Sequence, residues 1–303
     1  MNFSVTILGS GAALPTFSRN PTSQYIDCNN RHILIDCGEG TQMQMRKFGI
    51  KFQRLSHILI SHLHGDHYFG LVGLLSTMHL LGRDQGITVY GPIGLEKIVR
   101  SQLEIEGSKL GFGITFFSLD GKTASLLFED KLIEIHTFPL KHRILTNGFL
   151  IKEKTKEYTL LGEVFHAEGL SRTFIPKFKK GEDVIDENGI THYFKDYTAK
   201  PSPTKSYAYC SDTVYYEKVI PYIEGVNLLY HEATFTEPFK SKAKATFHST
   251  AKDAAIIAQK ANVKKLILGH LSARFENGEE HQIEAKEIFE NVEVVEDGNV
   301  YEI

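Results

Sequence analysis

No long apolar run, no basic leader and no paired set of cysteines occur in this chain of 303 residues. Its longest charge-free apolar stretch, Phe69 to Gly82, contains His79 and is too short to span a bilayer, so no membrane partner is expected. The opening Met1-Asn2-Phe3-Ser4-Val5 lacks the basic segment of a secretory leader. Cys28, Cys37 and Cys210 are odd in number, widely spaced and next to apolar, strand-like residues. That argues against a disulfide framework and for a reducing, cytoplasmic setting. Charge of one sign is missing too. Lysine and arginine number 34 against 37 acidic residues, a net −3, so no global basic field advertises a nucleic-acid partner and any such partner needs a local patch. With 42% hydrophobic and 23% charged residues the chain is neither disordered nor fibrous, and its length allows one large domain or two ordinary ones. Histidine is what stands out: 14 of them raise a metal hypothesis before any motif is read.

Short runs rich in β-branched and aromatic residues predict strands over Phe3–Leu8, Ser23–Cys28, Arg31–Asp36 and Leu55–Ile60, with Asn29-Asn30 as a tight turn. Gly9-Ser10-Gly11 and Pro15 mark a loop after the first strand. Further strands are expected at Ile87–Tyr90, Ile114–Phe117, Lys131–Phe138, Gly148–Ile151, Ser206–Cys210, Asn227–His231 and Lys265–Gly269. The charge-free Tyr68–Leu81 segment reads as a buried helix. Helices also fit Thr213–Ile223, Ser249–Gln259 and Gln282–Asn291, with Thr250 and Asp253 spaced as an N-terminal cap. Lys152 to Lys205 breaks this rhythm: it is charged, holds Pro176, Pro201 and Pro203, and lacks clean periodicity. Apolar pairs such as Val164-Phe165, Phe174-Ile175 and Tyr193-Phe194 punctuate it, so it reads as an arm with some structure of its own rather than a disordered linker. The expected organisation is a single domain over residues 1–303 with an arm inserted at about 152–205, and no 20–50-residue repeat is present.

The decisive segment is Ser61-His62-Leu63-His64-Gly65-Asp66-His67, directly after a predicted strand. In extended backbone His62, His64 and Asp66 alternate and converge on one side, and His67 follows where the chain turns into a helix. Four potential ligands in six residues exceed the share one tetrahedral ion needs, so two ions are expected. Imidazole with carboxylate suits zinc and admits manganese. His142, Asp212 and His270 stand at comparable strand ends. Singly, each reads better as a cap or a surface residue; jointly they favour a metal. An aspartate can bridge two ions, which a neutral histidine cannot, so the sites divide as His62, His64 and His142 against Asp66, His67 and His270, with Asp212 shared.

These residues, with His231-Glu232-Ala233-Thr234, His248-Ser249-Thr250, Ser211-Asp212-Thr213 and Gly269-His270, resemble the metallo-β-lactamase superfamily. Within it they resemble the short-form ribonuclease Z family, from Leu8-Gly9-Ser10-Gly11 to His270-Leu271-Ser272-Ala273-Arg274-Phe275. The resemblance implies an α/β fold, a four-layered αβ/βα sandwich with a protruding arm and metals at the edge between two sheets. It implies a zinc-dependent endoribonuclease with two Zn2+ per chain, cutting the 3′ trailer from precursor tRNA and leaving a 3′-hydroxyl. It gives Asp66 a second role, holding or accepting the proton of the attacking water. His248 becomes the proton donor to the leaving oxygen and Glu232 the residue that orients it. The competing reading, in which Glu232 organises a loop and His248 caps the next helix, is the weaker. His231 is expected to be structural; His32, His57, His79, His136, His166, His192 and His281 are expected in the core or on the surface. The arm is implied to grip the tRNA elbow across a homodimer, although Phe174 to Gly181 lacks the Gly-Pro many family arms carry. Phe17 stands where the family often has lysine in a loop tied to the acceptor end, while Arg19 remains.

Between Lys240 and Lys265 seven lysines face one acid, Asp253, a local +6 around His248 that reads as an acceptor-stem contact. The runner-up activity is a metallo-β-lactamase-fold phosphodiesterase for small-molecule or cyclic nucleotide diesters, which needs no basic patch and no arm. A degenerate, non-enzymatic domain would lack ligands, and all seven are present. No protein partner is evident beyond a second copy of the chain.

Overall fold

The computed structural model describes residues 2–104 and 109–303. Two compact units emerge: Met1–Lys152 with Lys205–Ile303, and Glu153–Thr204.

In the larger unit two seven-stranded sheets carry the core. One runs, edge to edge, Val300–Glu302, Phe3–Gly9, Ser23–Cys28, Arg31–Ile35, Leu55–Leu59, Ile87–Pro92 and Ile114–Leu119. Its first four strands pair antiparallel and the rest parallel. The other runs Val292–Val294, Leu266–Gly269, Leu228–Glu232, Ser206–Cys210, Thr146–Glu153, Ile133–Leu140 and Ser125–Glu129. The expected Asn29-Asn30 turn joins two antiparallel strands with φ of 52° and 63°, the left-handed pair that a type I′ hairpin demands.

Alternation along the strands makes the layers. Val5, Ile7, Ile33 and Leu59 of the first sheet share one cluster with Phe149, Ile151, Tyr207, Tyr209 and Tyr230 of the second, the core between the sheets. The intervening residues Leu34, Ile58 and Val89 pack outward against Leu71, Leu74, Leu75 and Met78 of helix Leu71–Leu80. Ala208, Leu229, Leu266 and Leu268 pack outward against Ala251, Ala254, Ala255 and Ala258 of helix Ala251–Lys260. Both faces of each sheet are thus buried, and helix, sheet, sheet and helix follow as four layers.

The smaller unit has its own core: Phe165, Phe178, Val184 and Tyr197 are buried, with Leu160, Leu170, Phe174 and Phe194 packed around them. Helices Gly162–Ala167, Ile175–Lys180 and Phe194–Tyr197 and two short antiparallel pairs, Thr159–Leu160 with Thr198–Ala199 and Val184–Ile185 with Thr191–His192, complete it.

Several elements differ from the sequence reading. The expected helix Tyr68–Leu81 is two pieces, Gly65–Tyr68 and Leu71–Leu80. Thr213–Ile223 is helical only from Glu217, and the Thr213 amide donates to the Glu232 carboxylate, 3.0 Å away. Gln282–Asn291 is replaced by Glu279–Lys286. Helices Thr41–Lys47 and Leu95–Leu103 and the strand Ser125–Glu129 were not expected.

Candidate metal centre and catalytic cleft

The seven residues singled out as metal ligands all follow strands, at the carboxyl ends where α/β sheets gather their sites. His62, His64, Asp66 and His67 follow Leu55–Leu59, His142 follows Ile133–Leu140, Asp212 follows Ser206–Cys210 and His270 follows Leu266–Gly269. The fold brings all seven together. His62, His64, His142 and Asp212 form one group and Asp66, His67 and His270 another, with donor atoms in each within 4.8 Å of one another. Asp212 turns one oxygen to each group. Its Oδ2 lies 3.5 Å from His62 Nε2 and 3.8 Å from His142 Nε2; its Oδ1 lies 3.4 Å from His67 Nε2 and 3.2 Å from His270 Nε2. Asp66 Oδ2 closes the second group, 3.3 Å from His270 Nε2 and 3.5 Å from His67 Nε2.

Four of the rings are held by their other nitrogen, which fixes tautomer and direction. His67 Nδ1 donates to Asp36 at 2.8 Å and His142 Nδ1 to the Phe247 carbonyl at 2.7 Å. His62 Nδ1 lies 3.0 Å from Ser61 Oγ, and His270 Nδ1 3.0 Å from Thr234 Oγ1. Two buried atoms aimed into the centre, His67 Nε2 and Asp212 Oδ1, have no hydrogen-bond partner. Orphaned polar atoms of this kind are costly, and a cation between them satisfies both. Charge points the same way. Burial resists protonation of His67, yet the surrounding carboxylates of Asp66, Asp212 and Asp36 lift its pKa well above the ordinary value. A pocket with three carboxylates about one imidazole demands positive charge, and its nitrogen and oxygen donors fit a divalent metal.

Beside the centre, His248 Nδ1 donates to Glu232 Oε1 at 2.9 Å. Burial opposes the charged ring, but the Glu232 and Asp212 carboxylates push it up to about 9. Glu232, the last residue of its strand, is fully buried and saturated. Oε1 also accepts the Thr213 and Ser249 amides, and Oε2 accepts the Thr234 amide and hydroxyl at 2.9 and 2.7 Å. His231 is turned away, its Nδ1 donating to the Glu232 carbonyl. None of the seven other histidines joins a metal-holding group.

A cleft of about 700 Å³ opens over this constellation, lined by Leu14, Phe69, Arg143, Lys242, His248 and Arg274 among others. Outside turn asparagines, the described residues with positive φ that are not glycine are Ala13, Asp36, Phe247 and His270. All four serve the centre: the Ala13 amide donates to Asp66 Oδ2 at 2.8 Å, Asp36 and Phe247 hold rings, and His270 faces Asp212. Glycine is needed where loops meet tightly, since a Cβ on Gly38 would lie 2.4 Å from the Asp66 carbonyl oxygen.

Two expectations change. The lysine run is not one patch: Lys240, Lys260 and Lys265 pair with Glu237, Glu217 and Glu293, the last two at the ends of helix and strand remote from the centre. Of the seven, Lys242 lines the cleft. Arg19 is buried and donates to Ser10 Oγ and the Val295 carbonyl, so it braces its loop from within. Asp36 and Tyr209 were missed. Asp36 accepts from Ser61 N and Oγ, His67 Nδ1 and Tyr209 Oη, all within 2.9 Å. Its only signal in the sequence is an aspartate closing an apolar strand.

Two seven-stranded sheets faced by helices, with a histidine–aspartate centre at their carboxyl edge, define a metallo-β-lactamase fold. A Bacillus subtilis protein of that fold superposes with a TM-score of 0.70 over 100% of both chains at 19% identity. A family model described as Anti-Pycsar protein Apyc1 matches residues 3–109. A ribonuclease Z of Parabacteroides distasonis is 45% identical over 98% of each chain, and the short form of human tRNase Z superposes with a TM-score of 0.72 at 28% identity, covering 98% of each. The chain belongs to the ribonuclease Z family.

Proposed function

We propose that this protein is the endoribonuclease that removes the 3′ trailer from precursor tRNA, leaving a 3′-hydroxyl on the tRNA. It is a metal-dependent hydrolase of phosphodiester bonds. The observation that carries the reading is Asp212, whose two oxygens address two separate ligand groups at one cleft. We assign two Zn2+ per chain, with Mn2+ as the alternative: His62, His64 and His142 would hold one, Asp66, His67 and His270 the other, and Asp212 would be shared. Bound there, they would supply polarisation of the scissile phosphate and a bound water with its pKa brought towards ~7.

The chain's own groups do the rest. Asp66, held by the Ala13 amide at Oδ2, is assigned to hold or accept the proton of the attacking water. As that water adds to phosphorus, the P–O3′ bond breaks and O3′ leaves with negative charge. His248 donates through Nδ1 to Glu232, whose carboxylate favours the charged ring, and so presents its Nε2 proton to O3′. Arg143, Lys242 and Arg274 supply the local positive charge that the overall −3 does not. The Glu153–Thr204 unit is assigned to gripping the tRNA elbow, in a cytoplasmic homodimer.

Chelated and zinc-restored protein, each offered a 3′-extended tRNA precursor and a small chromogenic diester, tests this. Zinc-dependent release of an intact trailer is expected, with close to two ions per chain by elemental analysis. Hydrolysis of the small diester with no cut in the precursor would favour the small-molecule phosphodiesterase instead.

A further inference from the structure

We propose that Phe69 is the stacking platform for the nucleobase beside the scissile phosphate. This rests on the ribonuclease reading and deepens it. Phe69 is two residues beyond His67, lines the cleft and leaves 63% of its surface exposed. A single exposed apolar residue is ordinary; a fixed one beside a phosphodiester centre is not. Gly65, between His64 and Asp66, has no side chain, and a Cβ there would lie 2.2 Å from Phe69 Cε2. The ring therefore packs on the backbone that joins two of the assigned ligands. The Phe69 amide donates to the Gly65 carbonyl at 2.9 Å, and the Tyr68 ring meets Phe69 edge-on at 5.0 Å. Gly70 locks the far side, since a Cβ there would lie 2.2 Å from the Gly38 carbonyl oxygen.

The predicted Tyr68–Leu81 helix is interrupted at Phe69-Gly70, where the Phe69 ring lies on the ligand loop. Across the same lining, Leu14 and Pro15 follow Ala13, which is tied to Asp66. The cleft thus combines apolar walls with Arg143, Lys242 and Arg274. A nucleotide chain alternates charged phosphates and flat bases, so cations suit the first and a rigid ring suits the second without reading base identity. A ring seated against backbone on one side leaves its other face open to a base.

The test compares wild type, Phe69→Trp, Phe69→Leu and Phe69→Ala on three substrates. These are a 3′-extended tRNA precursor and two copies with an abasic residue immediately 5′ or 3′ of the cleavage point. Phe69→Ala is expected to lower kcat/KM about 5- to 150-fold, mainly through KM. Phe69→Leu should follow it, and Phe69→Trp should stay near wild type. One abasic precursor should impair wild type by a similar factor and suffer no further loss with Phe69→Ala. Equal losses on all three substrates, or no loss at all, overturn the proposal. Melting temperature and metal content identify a misfolded variant; if the alanine protein fails, the leucine and tryptophan pair decides. If wild type leaves the precursor uncut, the ribonuclease reading fails and the platform falls with it.

Discussion

Glu232 has no lone pair to spare, and that changes what its substitution tests. Its oxygens take five donors, so Glu232→Gln turns an NH2 toward donors whichever way the amide faces. We expect that variant to melt earlier as well as cut more slowly. His248→Ala should keep fold and metal content and slow precursor cleavage ~10²–10⁴-fold. The double change should cost much less than the product, because the pair acts as one unit. A precursor with sulfur at the 3′ bridging position, whose leaving group scarcely needs a proton, should largely rescue His248→Ala; no rescue would reassign His248 to RNA positioning. His57 offers a test of the core. It packs 4.4 Å from the Phe128 ring, and burial holds its pKa down to about 4. The unfolded chain then binds its proton first as pH falls below 6.5, so stability is lost between pH 6.5 and 4, by about 2 kcal/mol at pH 5. Chelated His57→Leu should therefore lose less melting temperature from pH 7.5 to 5 than chelated wild type. At this scale the gathering of the seven candidate residues was legible because imidazoles at alternating spacing after a strand have few other uses. Asp36 was not, because an aspartate ending a strand usually serves a turn, and its partner Tyr209 comes from the other sheet.

Among the elements, helix Ala251–Lys260 was legible from its cap. Thr250 accepts from the Asp253 amide and Asp253 accepts from the Thr250 amide, as the sequence spacing required. Thr250→Ala should cost about 1–2 kcal/mol, seen as a melting temperature lower by a few degrees, with metal content unchanged. An unchanged melting temperature would mean the box is redundant. Strands were read well where β-branched residues alternate, and helix bounds poorly where tertiary contacts decide them. Thr213, expected to open a helix, instead ties its strand end to Glu232. Leu95–Leu103 is a short amphipathic helix whose capping residue, Gly94, gives no side-chain signal.

For the whole molecule, the layers could not be read from composition, since which face of each strand meets which neighbour is settled by long-range pairing. The segment from Lys152 to Lys205 stands out in the sequence, because its charge and prolines break the rhythm on both sides. Lys152 and Ser206 are paired residues on adjacent antiparallel strands. Replacing Glu153–Lys205 by an Asn-Gly turn leaves two residues between that pair and therefore asks little of the remaining sheet. The shortened protein should fold, keep its metals and hydrolyse a small diester nearly as well as the full chain, while its precursor cleavage collapses. Equal losses on both substrates would place the arm in catalysis. Light scattering of the full chain should give twice the mass of one copy.

The left-handed residues around the cleft set a ceiling on heat resistance. A side chain in that conformation costs roughly 1–2 kcal/mol, against a whole-protein stability of about 5–15 kcal/mol. At Ala13 and Phe247 only the backbone atoms do the work, so glycine relieves the strain, less the extra freedom it brings to the unfolded chain. At Asp36 and His270 the side chain itself is required, and no such relief exists. Selection for thermal endurance alone would find the first pair quickly and then halt at the second, where further hardening begins to erase the chemistry.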